Sequence, residues 1–175
     1  MGVLLRLTRD DDPVCPELTV ASLYLAHRLR LVRLAVLLVD DVETAEDVVQ
    51  DVFAKLSRSF RLDDTDRALA YLQRAVVNGC RSVLRRRRTV RSTVLPHQPS
   101  GGGPEAAVIL AEEHREVLAA LHRLPPRQRE VLVLRYWSDL SESQIAETLG
   151  ISRGTVKSTA SRALAALEQI LEAQR

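Results

Sequence analysis

One segment, Ser141–Leu164 with the sequence SESQIAETLGISRGTVKSTASRAL, restricts the possible fold more than any other part of the chain. Its three most demanding positions hold residues with a clear steric purpose. Ala146 is small where two helices would cross, Gly150 can adopt the left-handed conformation of a tight turn, and Val156 can fill the space between the helices. This spacing predicts a helix-turn-helix.

Two prolines mark the boundary between the helices that precede this unit. Pro125 and Pro126 end a helix predicted for Glu105–Arg123, because proline lacks the amide hydrogen and clashes with the preceding turn. Pro126 can then open a second helix that runs to about Trp137. We expect Tyr136 and Trp137 to pack in the core of this half of the chain. A contact between these two rings and a partner is the alternative.

Polar residues predict where the last two helices begin. Ser141 and Gln144 form a capping-box pattern, in which each side chain satisfies a free amide at the start of a helix. Gly150 can end that helix, and Ser152 can cap the next one. The spacing therefore predicts a final helix over Arg153–Glu172.

Three more helices are predicted in the first half, where apolar residues such as Val48, Val52 and Leu56 recur at helical spacing. Asp41 can cap the second of them, and we expect Phe53 to lie in the core. The chain is 46% hydrophobic but only 3% aromatic, which favours helices packed through aliphatic side chains. We therefore predict an all-α fold. The three predicted helices are Leu18–Val39, Val42–Phe60 and Arg67–Arg88.

The segment Ser92–Pro104 separates the two halves. Prolines and glycines crowd together in it, and no helical or strand periodicity survives. Fully stretched, this segment could span roughly 40 to 45 Å, enough for the two halves to act at separate places on a large partner. We predict two small helical domains, residues 1–91 and 105–175, joined by a flexible linker over 92–104. A permissive surface loop is the alternative interpretation.

The second helix of a helix-turn-helix typically enters the DNA major groove. One side of the predicted final helix is polar, with three basic side chains and no acidic one. Arginine and lysine can pair with guanine or phosphate, and serine or threonine can contact either. A solvated face on an interaction helix is the alternative. The candidate DNA-binding residues on this side are Arg153, Thr155, Lys157, Ser158, Ser161 and Arg162.

Opposite charges are concentrated in neighbouring segments of the first half. From Asp40 to Asp51 inclusive the chain has six acidic residues and no basic residue. Three of them, Glu43, Asp47 and Asp51, are spaced one helical turn apart. Such an acidic stripe favours a basic partner. A magnesium-dependent nuclease site is a rival interpretation, since clustered carboxylates also hold that ion, and an ordinary solvated face is another.

From Arg67 to Arg91 the chain holds eight arginines and no acid. This density of like charge favours neutralisation by phosphates, so DNA is the expected counterion. A solubilising helix end is the alternative. The candidate residues are Asn78, Arg81, Ser82, Arg85, Arg86, Arg87 and Arg88.

Several classes of function are not supported by the sequence. Cys15 and Cys80 show no metal-type spacing, and two cysteines favour a reduced, cytoplasmic setting. No secretion signal is visible, and the most apolar stretch, Leu29–Val39, is too short and too charged to span a membrane. No catalytic motif appears. We therefore expect no catalytic residue, no bound metal and no cofactor.

The run from Ala120 to Leu167 resembles the C-terminal domain of the extracytoplasmic-function sigma factors, in the sigma-70 family. LPPRQREVLVLRY, followed by LS, IA, LGIS, GTVKS and SRAL, is highly specific in combination. The resemblance implies that this domain reads the upstream (-35) promoter element and contacts the flap of the RNA polymerase β subunit.

The first half resembles the other domain of that family more loosely, through AEDVVQDVFAKL from Ala45 and AYLQRAVVNGCRSVLRRRR from Ala70. The resemblance implies that α-helical residues in the first motif grip the clamp helices of the polymerase β' subunit, and it carries this role to Glu46, Asp47, Gln50 and Asp51. It places Asn78, Arg81 and Ser82 where the family reads the downstream (-10) element, and residues 61–66 where it holds a flipped base. Gly79 inside the predicted helix departs from the family pattern, since glycine costs about 1 kcal/mol there relative to alanine.

The leading hypothesis is therefore a transcription initiation factor that binds core RNA polymerase and promoter DNA, with an anti-sigma factor left open as a further partner. A stand-alone helix-turn-helix regulator and a helical interaction protein that binds no nucleic acid are the alternatives. The stand-alone regulator would bind duplex DNA tightly by itself. The interaction protein would show no salt-dependent affinity for DNA.

Overall fold

The computed structural model of the protein describes residues 19–39, 41–59, 65–91 and 115–173. Within these ranges every regular element is helical, which confirms the all-α prediction. The predicted linker 92–104, residues 61–64 of the predicted loop and the first part of the helix predicted for Glu105–Arg123 lie outside the described residues. The elements are α1 (Val20–Val39), α2 (Val42–Ser59), α3 (Thr65–Arg91), α4 (Arg115–Arg123), α5 (Pro126–Leu132) with a π-helical turn (Val133–Trp137), α6 (Glu142–Leu149) and α7 (Arg153–Glu172).

The first three helices pack around a shared aliphatic core. The apolar side of α2 is buried as its spacing predicts, and Phe53 lies in the core with its ring edge-on to Tyr24 at a centroid distance of 5.0 Å. Asp41 caps α2, since its Oδ1 accepts a hydrogen bond from the amide of Thr44 at 2.7 Å. Helix α3 is longer at both ends than the predicted Arg67–Arg88: it begins at Thr65 and continues to Arg91.

Gly79 lies where α2 and α3 approach each other closely. A Cβ atom at this position would come within 2.7 Å of Cγ1 of Val48 on α2. Such a separation is shorter than carbon atoms tolerate, and the branched Val48 side chain has few rotamers into which it could withdraw. The unfavourable helix propensity of glycine is therefore offset by the closer packing that it permits.

Replacing Gly79 by alanine is expected to destabilise the fold by about 1 kcal/mol. Overpacking against Val48 costs about 1–3 kcal/mol, while alanine regains about 1 kcal/mol of helix propensity. Urea denaturation monitored by circular dichroism measures the difference. The matched control is Gly154→Ala on α7, where an added Cβ meets nothing nearer than Ser152 Oγ at 3.8 Å. Stabilisation by both substitutions would contradict the packing account of Gly79.

The second half is built from α4 to α7, and its turns form as the capping residues predict. Ser141 and Gln144 make both hydrogen bonds of the capping box, and Ser152 caps α7 by accepting from the amide of Thr155. Gly150 is left-handed, with φ 64° and ψ 42°. The amide of Ile151 donates to the Ala146 carbonyl oxygen at 3.0 Å, which closes the end of α6. The helix-turn-helix and the bounds of the final helix are confirmed.

The region before this turn differs from the single helix predicted to reach Trp137. Helix α5 ends at Leu132, and the next five residues form a π-helical turn in which the Ser138 amide donates to the Val133 carbonyl oxygen at 3.2 Å. A π-helical turn inserts one extra residue and so rotates the side chains that follow.

The two halves pack against each other. Helix α1 contacts α4, α5 and the π-helical turn, and α3 contacts α6. Buried apolar side chains from both halves form one continuous cluster, with Leu34 and Val76 from the first half and Val131 and Ile145 from the second. None of the described helices has both the length and the apolar character that crossing a bilayer requires.

Candidate nucleic-acid interface

Helix α7 presents a polar face to solvent, at the position of the second helix of the helix-turn-helix. Its inner side is buried through Val156, Thr159, Ala160 and Ala163, which hold it against α5 and α6. Leu164, one position after the buried Ala163, is exposed. All six candidate residues of this helix are exposed, namely Arg153, Thr155, Lys157, Ser158, Ser161 and Arg162.

The six side chains differ in how far they are already engaged. Thr155 Oγ1 lies 2.9 Å from Ser152 Oγ, Ser158 Oγ donates to the Thr155 carbonyl oxygen, and Arg162 Nε donates to the Ser158 carbonyl oxygen. Within the described residues, Arg153 and Lys157 have no hydrogen-bond or ion-pair partner. These two cations at the start of α7 are therefore the groups most available to a phosphate or a base edge.

The arginine-rich helix α3 exposes most of its candidate residues. Asn78 and Ser82 lie one helical turn apart on one side of the helix, and Ser82 Oγ donates to the backbone carbonyl oxygen of Asn78 at 3.0 Å. Two of the arginines, Arg81 and Arg87, are instead half-buried and form ion pairs. The exposed candidates are Asn78, Ser82, Arg85, Arg86 and Arg88.

Arg87 joins α3 to the corner between α1 and α2. Its Nη2 donates to Asp41 Oδ2 at 2.7 Å and also to Thr44 Oγ1. Partial burial raises the pKa of the Asp41 carboxyl, but the hydrogen bonds from Arg87 and Thr44 and the charge of Arg87 outweigh it and leave this pKa below its ordinary value. The stabilisation from this pair is therefore present at neutral pH and is lost as the pH falls through the lowered pKa.

Arg81 forms an ion pair with the other half of the chain. Its Nε and Nη2 both donate to the carboxylate of Glu130 on α5, each at 2.7 Å. This bidentate contact leaves only a weak interaction with Asn78, whose Oδ1 lies 3.4 Å from Arg81 Nη1. The structure thus separates Arg81 from the other candidates on α3, a separation that sequence spacing could not reveal.

A cavity of about 390 Å³ lies between α2 and α3. It brings Asp51 of the acidic helix together with Asn78, Ser82 and Arg86 of the arginine-rich helix. Sequence reasoning missed two further residues in its lining, Lys55 and Tyr71. The helical spacing of Tyr71, Asn78 and Ser82 on one side of α3 is the signal that could have found the exposed Tyr71 ring.

The acidic stripe on α2 faces solvent. Asp47, Gln50 and Asp51 are exposed, as is Glu43 at the start of the helix. Glu46 is the exception, because its Oε1 forms an ion pair with Arg28 Nη2 of α1 at 3.0 Å. Both partners of that pair are about two-fifths exposed, so the bond is weak and can be exchanged for another partner.

Tyr136 and Trp137 lie in an open apolar groove, which corrects the expectation that they pack in the core. Tyr136 is 63% exposed and Trp137 is 41% exposed. Both residues lie within the π-helical turn, where the structure departs from the single α-helix on which the expectation rested. The groove encloses about 370 Å³, and its lining also includes Leu37 of α1 and Leu164 of α7.

Two family models match the chain, and together they span both halves. The model of sigma-70 region 2 matches residues 23–90, and the model of sigma-70 region 4 matches residues 114–167. The first match covers α1 to α3 with the acidic and arginine-rich helices. The second covers the helix-turn-helix.

Two curated relatives match most of this chain over most of their own length. The RNA polymerase sigma-E factor of Streptomyces coelicolor is 37% identical over 82% of this chain and 81% of its own length. The ECF RNA polymerase sigma factor SigM of Mycobacterium tuberculosis is 35% identical over 86% of this chain and 76% of its own length.

Two solved structures share the fold. The sigma factor RpoE of Bartonella quintana, in complex with the anti-sigma factor NepR, superposes with a TM-score of 0.66 at 27% identity and covers 89% of this chain and 98% of that one. CnrH, in complex with the cytosolic domain of CnrY, gives a TM-score of 0.63 at 27% identity, with 89% of each chain covered.

Proposed function

Because the chain belongs to the sigma-70 family, as a factor of the extracytoplasmic-function type, it directs promoter recognition by RNA polymerase in transcription initiation, and we propose which of its surfaces perform each part of that role. In this proposal α2 binds the core enzyme, α3 engages the downstream element and α7 reads the upstream element. The chain itself carries out no catalytic step. It acts in the cytoplasm, where core polymerase and promoter DNA are found.

The observation that carries the proposal is the exposed polar face of α7 in a correctly capped helix-turn-helix. Arg153 and Lys157 lie in the first turns of the helix, which is the part that reaches base edges when such a helix enters the major groove. Thr155, Ser158, Ser161 and Arg162 extend the same face. Positive charge on this face favours phosphate contact, and the arginine fork suits guanine.

The polymerase contact is assigned to Glu46, Asp47, Gln50 and Asp51 on α2. The exposure of Asp47 and Asp51 and their spacing of one helical turn support a contact with a basic helical surface, which the clamp helices of the β' subunit would provide. Glu46 would exchange Arg28 for a basic residue of the polymerase. Such an exchange costs little, because the existing pair is already solvated.

The downstream element is assigned to α3. Asn78, Ser82 and Arg86 line the cavity between α2 and α3, so an unstacked base could enter where hydrogen-bonding groups and a cation are already present. Arg85 and Arg88 would contact the backbone. Arg81 is assigned to the same element, whereas Arg87 supports the helix through Asp41.

Two partners of the second half are also proposed. The apolar groove that contains Tyr136 and Trp137 would receive an apolar segment of the polymerase β flap. An anti-sigma factor is proposed as a regulator because the superposed structures of RpoE and CnrH were determined with NepR and with the cytosolic domain of CnrY.

Run-off transcription with purified core polymerase tests the assignment. The expected result is a promoter-dependent transcript that appears only when the chain is added. Tight binding of the free chain to duplex DNA without any transcript would favour the stand-alone regulator instead. A chain with neither transcript nor salt-dependent DNA affinity would be an interaction protein.

A further inference from the structure

The contact between Arg81 and Glu130 joins residues that are 49 positions apart and lie in different halves of the chain. Two of the three guanidinium nitrogens, Nε and Nη2, each donate to one of the carboxylate oxygens at 2.7 Å. This parallel geometry is the strongest arrangement that arginine forms with a carboxylate. The Glu130 side chain is only 9% exposed and that of Arg81 28% exposed, so water screens the pair weakly.

The contact does not stand alone. Arg30 on α1 donates through Nη2 to the carbonyl oxygen of Ser138 at 3.2 Å, which adds a second polar bond between the halves. Around the ion pair, Leu38 and Leu84 of the first half meet Pro126 of the second, and the space left between them is too small to admit water. The halves therefore form one packed unit at this place.

Arg81 is a poor partner for DNA while Glu130 holds it. The carboxylate neutralises the positive charge and occupies the Nε–Nη2 edge, so DNA would meet only the remaining Nη hydrogens of a side chain that is 28% exposed. We propose that Glu130 acts as an internal substitute for the promoter: through Arg81 it adds to the apolar contacts that close the two halves of the free chain, and it withholds this residue from DNA. This inference rests on the proposed role of Arg81 at the downstream element.

The closed arrangement is reversible for a physical reason. An ion pair at an interface can be exchanged for a competing anion, whereas purely apolar contacts offer no group for which a polyanion could compete. Polymerase, by separating the halves, would expose both partners. Glu130 would retain Arg127 of its own helix, which already donates to its Oε2 at 3.2 Å, and Arg81 would become free for the promoter.

Two variants that break the same bond distinguish this proposal from a merely structural ion pair. Glu130→Gln frees Arg81, and Arg81→Gln removes it. Glu142→Gln is the matched control, because Glu142 pairs with Arg135 inside the second half and its loss changes the net charge equally. Far-ultraviolet circular dichroism and thermal melting establish that each full-length variant is folded.

The first measurement is the distance between the halves of the free chain. A donor and an acceptor dye are attached through Ala54→Cys and Glu168→Cys in a Cys15→Ser background. Cys80 is buried and its burial raises the pKa of the thiol to about 12, so it does not compete for label. We expect lower energy transfer in Glu130→Gln and in Arg81→Gln, and no change in Glu142→Gln. Unchanged transfer in both interface variants would overturn the proposal.

The second measurement is the affinity of the free chain for a fluorescent single-stranded oligonucleotide of mixed sequence. Glu130→Gln should bind it at least about five-fold more tightly than the Glu142→Gln control, a modest coupling between two sites. Arg81→Gln should show no gain. An equal gain in both interface variants would overturn the withholding of Arg81. Transcription by holoenzyme that contains Arg81→Gln tests the underlying role separately, because the polymerase then holds the halves apart. Normal transcription there would refute the promoter role of Arg81, whatever the energy transfer shows.

Discussion

Reversing two charges on the acidic stripe, in the double variant Asp47→Lys with Asp51→Lys, is expected to abolish capture of core RNA polymerase. Both carboxylates are exposed and one helical turn apart, so they would face one basic surface together. Juxtaposed like charges cost several kcal/mol, and a loss of about 3 kcal/mol already weakens binding more than 100-fold. The association constant with purified core enzyme, measured by competition against the unaltered chain, gives the size of the effect.

The control for this variant carries the same charge change at another surface. Glu168 and Glu172 are also exposed and also four residues apart, but they lie near the end of α7. Glu168→Lys with Glu172→Lys should bind core polymerase nearly as the unaltered chain does. Normal capture by the Asp47 and Asp51 variant, or equal loss in the control, would remove the docking role from α2.

Substituting alanine for Arg153 or for Lys157 is expected to weaken recognition of the upstream element while polymerase binding stays intact. Each side chain extends from the start of α7. Removal of an arginine that is bidentate to a base costs about 1–3 kcal/mol, or roughly 5- to 150-fold in affinity. If Lys157 contacts phosphate instead, its loss weakens binding to all DNA sequences equally. The slope of log affinity against log salt concentration then falls by about 1. Holoenzyme binding to promoters with and without the upstream element, at several salt concentrations, separates the two cases.

Arg123→Ala is the matched control for these substitutions, because Arg123 is an exposed cation of the same half that lies at the end of α4. It should leave upstream recognition unchanged. Equal loss of promoter recognition and of polymerase binding in Arg153→Ala would contradict the assignment. The proposal places polymerase binding on α2, so a residue of α7 that reads a base should not affect it.

The helical boundaries of the second half could be predicted closely from sequence. Ser141 caps α6, Gly150 ends it and Ser152 caps α7, each through hydrogen bonds to residues no more than five positions away. Exposure of the candidate residues on α7 was also predictable, because helical spacing separates them from Val156 and Ala160. The roles of these residues stay predictions until the variants are measured.

Other features could not be predicted because they depend on neighbours that are distant in sequence. Gly79 looks unfavourable inside a helix until Val48 of α2 is seen in contact with it. Tyr136 and Trp137 were expected in the core, yet both side chains are exposed and lie within the π-helical turn. Nothing in the periodicity of α5 signals that turn, since its formation depends on how the flanking segments pack.

The arginines of α3 show the same division between local and distant causes. The number and spacing of these arginines could be read from the sequence. The same holds for the capping residues and the helix-turn-helix, because each reflects interactions within about one or two helical turns. Which arginine is free was decided by tertiary structure: Arg81 meets Glu130 and Arg87 meets Asp41, each more than forty residues away. An ion pair of this kind depends on the three-dimensional approach of two charges, and only the packing of the two halves brings Glu130 to Arg81.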